Sequence, residues 1–146
     1  MIYFDASALV SVFLPDAHTG TVEAFLRGDA RRIGVSGFAV AEFSAVVSRE
    51  ARTGRLDAGQ GARVLHTFDA WLGTSAEAVP LEPDDARVAT AFVRRFDLGL
   101  RAPDALHLAI CKRLNLPLLT FDARQAAAAR ALGVGVVPLG LAAEDA

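Results

Sequence analysis

The sequence predicts an α/β fold, a parallel sheet covered by helices on both faces. Two observations carry this. Short, mostly apolar runs at Met1–Phe4 and Leu118–Phe121 read as strands buried inside a sheet. Helical patterns separate such runs along the whole chain, as crossovers between parallel strands require. With 146 residues and 53% hydrophobic content, residues 1–146 can build a single domain with a full core.

The elements follow in order. Residues 1–4 form the first strand. Ser7–Leu14 is a short helix stopped by Pro15, and His18–Arg27 is a second, closed by Gly28-Asp29. Arg32–Ser36 is a second strand. Phe38–Arg52 is a long helix ended by Thr53-Gly54. Ala58–Leu72 is another, with Val64, Leu65, Phe68 and Leu72 at helical spacing. Ala78–Leu81 reads as a weak strand, and Asp84–Phe96 as a helix opened by Pro83. The stretch from Leu100 to Asp122 organises the rest. Pro103 sits where the first helical position should be, because its missing N–H is not needed there. The helix that follows is apolar on most sides, hence buried, and Asn115-Leu116-Pro117 ends it. Leu118–Phe121 is the strand after it, and Ala123–Leu132 the next helix. A last strand is placed near Val134–Pro138. The tail Leu141–Ala146 carries no clear signal.

Bulk properties exclude some classes. No apolar stretch approaches the roughly 20 residues of a membrane span. The first residues lack a basic n-region and meet Asp5 too early for a signal peptide. Cys111 is the single cysteine, so no internal disulfide can form, which fits a cytoplasmic location. The formal charge of −2 gives no global signal for nucleic acid. Of the 15 lysines and arginines only Lys112 is a lysine; arginine suits bidentate phosphate contacts, and an Ala-rich composition gives the same bias.

The acids carry the chemistry. Asp5 and Asp122 stand at the carboxyl ends of two predicted strands, where parallel sheets place their functional crevice. Each also suits the N-cap of the helix after it. Asp104 lies in a first helical turn, where it complements the helix dipole. Glu42 has no such structural role. It interrupts the apolar helix F-A-V-A-E-F-S-A-V-V with no lysine or arginine within a turn. An unpaired carboxylate there is expensive, so it needs a distant partner or a polar cavity. If the fold gathers these four acids, each pair about 4 Å apart repels by roughly 4 kcal/mol at an effective dielectric near 20. Their summed repulsion would rival a domain's stability and raise their pKa values. A hard cation with oxygen ligands, Mg²⁺ or Mn²⁺, answers that repulsion. Zinc does not fit, because His18, His66 and His107 are scattered. His107, three residues after Asp104, reads as a core histidine with local hydrogen bonds.

Four motifs in order, Asp5-Ala6-Ser7-Ala8, Ala41-Glu42, R-A-P-D-A-L-H-L-A at Arg101–Ala109 and L-T-F-D at Leu119–Asp122, together resemble the PIN domain, and within it the VapC toxins of type II toxin–antitoxin pairs. The resemblance spans nearly the whole chain. It implies a three-layer α/β/α sandwich with a central parallel sheet, and a Mg²⁺- or Mn²⁺-dependent endoribonuclease. By position, Asp5, Glu42, Asp104 and Asp122 would be the catalytic acids, with Asp5, Asp104 and Asp122 as metal ligands. Ser7 and Thr120 match small hydroxyl positions beside them and, with Arg101, would contact substrate; Arg49 is a further candidate for the RNA backbone. The resemblance also implies a homodimer and a VapB-like antitoxin that blocks the groove.

Two other classes stay in view. An aspartate-based phosphotransfer domain would need a second acid beside Asp5 and a lysine late in the sheet, whereas the chain has Asp5-Ala6-Ser7 and a helical Lys112. A non-catalytic PIN-like RNA-binding or assembly module would not need to hold four repelling acids.

Overall fold

The computed structural model describes residues 1–139; the tail Leu141–Ala146, with Glu144 and Asp145, lies outside the described residues. The chain forms β1 (Ile2–Phe4), α1 (Ala6–Phe13), α2 (Thr19–Gly28), β2 (Ile33–Ser36), α3 (Gly37–Arg52), α4 (Ala58–Ser75), β3 (Ala76–Val79), α5 (Pro83–Val93), a 3₁₀ turn (Phe96–Leu98), α6 (Ala102–Leu114), β4 (Leu118–Leu119) and α7 (Ala123–Ala131). All four strands are parallel, in the order β3-β2-β1-β4. Among the described residues no helix is long and apolar enough to cross a membrane.

The sheet is buried on both faces, and the two-residue period of its strands feeds two cores. Ile2, Phe4, Val35 and Leu119 join Leu9, Phe43, Val47 and Phe68 on the face covered by α1 to α4. Tyr3, Val79 and Leu118 join Leu108, Ile110 and Ala129 on the face covered by α5 to α7. Each fully buried Leu, Ile or Phe contributes roughly 1.5–3 kcal/mol, so these layers outweigh the weak intrinsic preferences of strands this short. The three-layer α/β/α architecture is the one expected.

Three strands differ from expectation. β3 begins at Ala76, two residues before the predicted strand. The last strand is reduced to a single parallel bridge between Val136 and Leu118: the Leu118 N–H donates to Gly135 O (2.8 Å) and the Val137 N–H to Leu118 O (2.9 Å). β4 stops at Leu119 instead of Phe121. Side chains take over its backbone beyond that point. The Phe121 N–H donates to Ser7 Oγ (2.9 Å) and the Asp122 N–H to Thr120 Oγ1 (3.1 Å). The ladder ends where the site begins.

Helix starts follow the sequence closely, but α4 runs on to Ser75 past the expected Leu72, and α5 ends at Val93 instead of Phe96, which falls in the 3₁₀ turn. Pro103 falls in the first turn of α6, one residue inside Ala102. α6 ends at Asn115, which takes the left-handed conformation (φ 53°, ψ 44°) and returns its N–H to the Cys111 and Lys112 carbonyls. Asparagine tolerates that conformation better than most side chains.

Candidate active site

Asp5 leaves the carboxyl end of β1 and caps α1. Its Oδ1 accepts from the Ala8 N–H (2.9 Å) and the Ser7 hydroxyl (2.7 Å). Its Oδ2 accepts from the Thr120 hydroxyl (2.6 Å). The cap and the polar site are therefore one arrangement, not alternatives. Asp5 is 3% exposed, and its three donors are all neutral. Burial pushes its pKa up, and the bonds from Thr120, Ala8 and Ser7 oppose that shift. Ser7 and Thr120, 3.3 Å apart, thus serve first as holders of Asp5.

Asp104 and Asp122 meet at Arg101. Asp104 lies buried in the first turn of α6, and Asp122 caps α7 through the Gln125 N–H (3.0 Å). Arg101 Nε donates to Asp104 Oδ2 (2.9 Å) and its Nη2 to Asp104 Oδ1 (3.4 Å). The same Nη2 lies 3.6 Å from Asp122 Oδ2. The hydrogen bond to Asp104 holds the guanidinium above its ordinary pKa, with lesser contributions from the charges of Asp122 and Glu42. Arg101 is no idle surface cation, although two-thirds of its side chain is exposed. Gln125, fully buried, ties the layers together: its Oε1 meets the Thr120 hydroxyl (2.8 Å) and its Nε2 donates to the Asp104 carbonyl (3.4 Å).

Glu42 has the distant partner its setting demands. Its Oε2 lies 2.5 Å from His107 Nε2, bringing α3 and α6 together. His107 Nδ1 lies 2.7 Å from the Tyr3 hydroxyl, and that hydroxyl lies 2.7 Å from Ser36 Oγ, the N-cap of α3. His107 is a core residue, as expected, but its partners are long-range rather than local. Sequence reasoning missed Tyr3, Ser36 and Gln125. A lone tyrosine inside an apolar strand was the one visible signal, and it has no meaning until the register is known.

Contacts thus join Asp5, Asp104 and Asp122 through Thr120, Gln125 and Arg101 around the carboxyl ends of β1 and β4, while Glu42 is held separately by His107. The acids are not drawn into a ready ligand cage: among the described residues no group of three or more His, Cys, Asp or Glu could hold a metal ion as it stands. By donor chemistry the acids do fit a hard cation, since carboxylate oxygens are what Mg²⁺ and Mn²⁺ prefer. Asp5 in particular is a buried carboxylate whose hydrogen-bond donors carry no charge. A groove of about 420 Å³ adjoins Asp122, lined also by Ser7, Asp16, His18, Val46 and Arg49. Arg49 reaches it with a side chain 58% exposed and one loose contact to Glu50 (3.5 Å). Lys112, which a phosphotransfer site would require, instead donates to the Leu132 carbonyl (2.8 Å).

A parallel α/β sandwich with acids at its strand ends defines a broad class of proteins, and comparison narrows it. The PIN domain family model matches residues 2–131, and the chain belongs to that family. Among solved structures it is similar to VapC20 of Mycobacterium tuberculosis, a toxin described as cleaving the sarcin–ricin loop. Identity there is 19% and the TM-score 0.72, covering 88% of this chain and 95% of that one. A toxin–antitoxin complex from Klebsiella pneumoniae matches at 19% identity and TM-score 0.67, over 95% and 98%. FitAcB from Neisseria gonorrhoeae matches at 19% and 0.66, over 97% and 99%. At such identities the likeness shows the fold. No curated protein matches the chain.

Proposed function

We propose that residues 1–146 form one PIN unit acting as a Mg²⁺- or Mn²⁺-dependent endoribonuclease of the VapC toxin type. What supports the reading is the contact network that joins Asp5, Asp104 and Asp122 through Thr120, Gln125 and Arg101 at the carboxyl ends of β1 and β4, with Glu42 held by His107 of the helix that carries Asp104. Asp5, Asp104 and Asp122 would hold the cation, which supplies a lowered water pKa and neutralises charge on a phosphorane-like transition state. Glu42 would orient the attacking water and take its proton. Ser7 and Thr120 hold Asp5 and offer hydroxyls next to substrate. Arg101 can turn from Asp104 and Asp122 to an RNA phosphate, and Arg49 lines the path of the strand. The toxin–antitoxin complex among the similar structures supports a VapB-like antitoxin over this groove, and a homodimer in the cytoplasm belongs to the same proposal.

Purified protein should cut RNA with Mg²⁺ or Mn²⁺, stop in EDTA, and lose activity in Asp5→Asn. Expression should arrest growth, and Asp5→Asn should relieve it. Cleavage that persists in chelator, or a folded Asp5→Asn protein as active as wild type, would sink the mechanism. A second reading, a non-catalytic RNA-binding module, draws on Arg101 alone: a built-in cation already neutralises two of the acids. RNA binding without cleavage at saturating Mn²⁺ would favour it.

A further inference from the structure

We infer that His107, aimed by Tyr3 and Ser36, is the positioning residue for Glu42: a directional hydrogen-bond chain sets its tautomer and holds one Glu42 oxygen, leaving the other for water. This deepens the nuclease reading and rests on it.

The direction follows from counting protons. An ionised carboxylate only accepts, so His107 Nε2 must carry the hydrogen in its 2.5 Å contact with Glu42. In a neutral imidazole Nδ1 is then a lone pair and accepts from the Tyr3 hydroxyl at 2.7 Å. Tyr3 has one proton, now spent, so its oxygen accepts from the Ser36 hydroxyl at 2.7 Å. Ser36 Oγ in turn accepts from the Ala39 N–H at 3.1 Å. Every donor is used once. The reversed chain would leave the Ser36 proton without an acceptor among the described residues, because its other partner, Ala39 N–H, is itself a donor.

Packing makes the chain stiff. Tyr3 is fully buried and His107 is 2% exposed. The imidazole lies between the Tyr3 ring, 5.6 Å away, and the Phe38 ring, 5.1 Å away. Phe38 stands one turn before Glu42 on α3, so the helix that carries the carboxylate also clamps the ring that aims it. Tyr3 lies two residues before Asp5, on the same face of β1. One strand therefore anchors two of the proposed catalytic acids, Asp5 directly and Glu42 through His107. The partly exposed Glu42, 27% by side chain, is the only link open to water.

The test uses two readouts. Ring ¹⁵N shifts of metal-free wild type should report the Nε2–H tautomer for His107, and Tyr3→Phe should keep that proton on Nε2 while the Nδ1 shift moves with the loss of its donor. In RNA cleavage, His107→Leu and Tyr3→Phe should lower kcat about 10–100-fold with KM little changed, the usual cost of losing a partner that orients a functional group. His107→Gln, whose amide can still donate to Glu42, should recover most of that loss. An Nδ1–H tautomer in wild type, or folded Tyr3→Phe cutting at the wild-type rate, overturns the positioning role. So does failure of His107→Gln to outperform His107→Leu when both give native-like spectra. Wild type that cuts no RNA overturns the nuclease reading instead, and the tautomer measurement identifies which of the two has failed.

Discussion

At the scale of single residues, the acids are satisfied by unequal means. Glu42 has a histidine, Asp104 and Asp122 share an arginine, and Asp5 has only neutral donors. Burial of that carboxylate, rather than repulsion from the other acids, raises the Asp5 pKa. The folded protein holds the Asp5 proton more tightly than the unfolded chain. The site's stability is thus full below the ordinary value of 3.8 and is lost as pH rises through the raised folded pKa. Asp5→Asn removes the buried charge at nearly constant shape, and its amide can donate to Thr120 Oγ1. Without metal, the variant should melt a few degrees above wild type at pH 7, with the gap closing toward pH 4. A variant that melts lower at pH 7 would mean that the carboxylate's hydrogen bonds outweigh its desolvation. Arg101 makes a different prediction. Its guanidinium uses the same Asp104 and Asp122 oxygens that the proposed cation would need, and its exposure lets it leave readily. Arg101→Gln should bind Mn²⁺ several-fold more tightly by calorimetry while raising KM for RNA. Weaker Mn²⁺ binding would mean that Arg101 holds the carboxylates in place for the ion.

At the scale of elements, the site is built from places where regular structure stops. β1 ends in Asp5 and β4 gives way at Thr120. α1 and α7 start on Asp5 and Asp122, and α6 carries Asp104 in its opening turn. A helix start offers free N–H groups and a favourable field for carboxylates, so capping and the proposed catalytic placement reinforce each other. The far end of α6 has only a structural task. Asn115→Ala should cost about 1 kcal/mol, because alanine lacks asparagine's tolerance of the left-handed region. A drop of roughly 2–5 °C in Tm with unchanged RNA cleavage is the expected outcome. Lost cleavage at retained fold would show that the α6 C-terminus couples to the acids.

At the scale of the whole molecule, one sheet separates two cores, and the acids' contacts cross between them. Glu42 on α3 belongs to one covering layer and His107 on α6 to the other, with β1 between. A cation bound by Asp5, Asp104 and Asp122 would join α1, α6 and α7. Metal binding only the folded state should raise stability by about 2.7 kcal/mol at a concentration 100 times its Kd. Wild type should therefore melt higher with Mn²⁺ and return to its starting Tm in EDTA. Asp104→Asn should gain clearly less. An equal Mn²⁺ gain in both would remove Asp104 from the ligand set.

Much of this protein was legible along the chain, because local free energy depends on residues within a turn or two. The helices, the strand-like runs, the caps at Asp5 and Asp122, Pro103 inside α6 and the stop at Asn115 all follow from such short-range terms. Glu42 could be marked as needing a partner, since an apolar helix face makes a lone carboxylate costly. Its partner could not be named. His107 lies 65 positions away from Glu42 and 104 from Tyr3, and such pairs exist only once the strand order β3-β2-β1-β4 is set. The same holds for Arg101 reaching Asp122 and for β4 surrendering its last residues to Ser7 and Thr120. The sequence by itself determined which groups carry charge and where each element starts. Tertiary structure decided which charges face one another, because that depends on the register and packing of elements far apart in the chain.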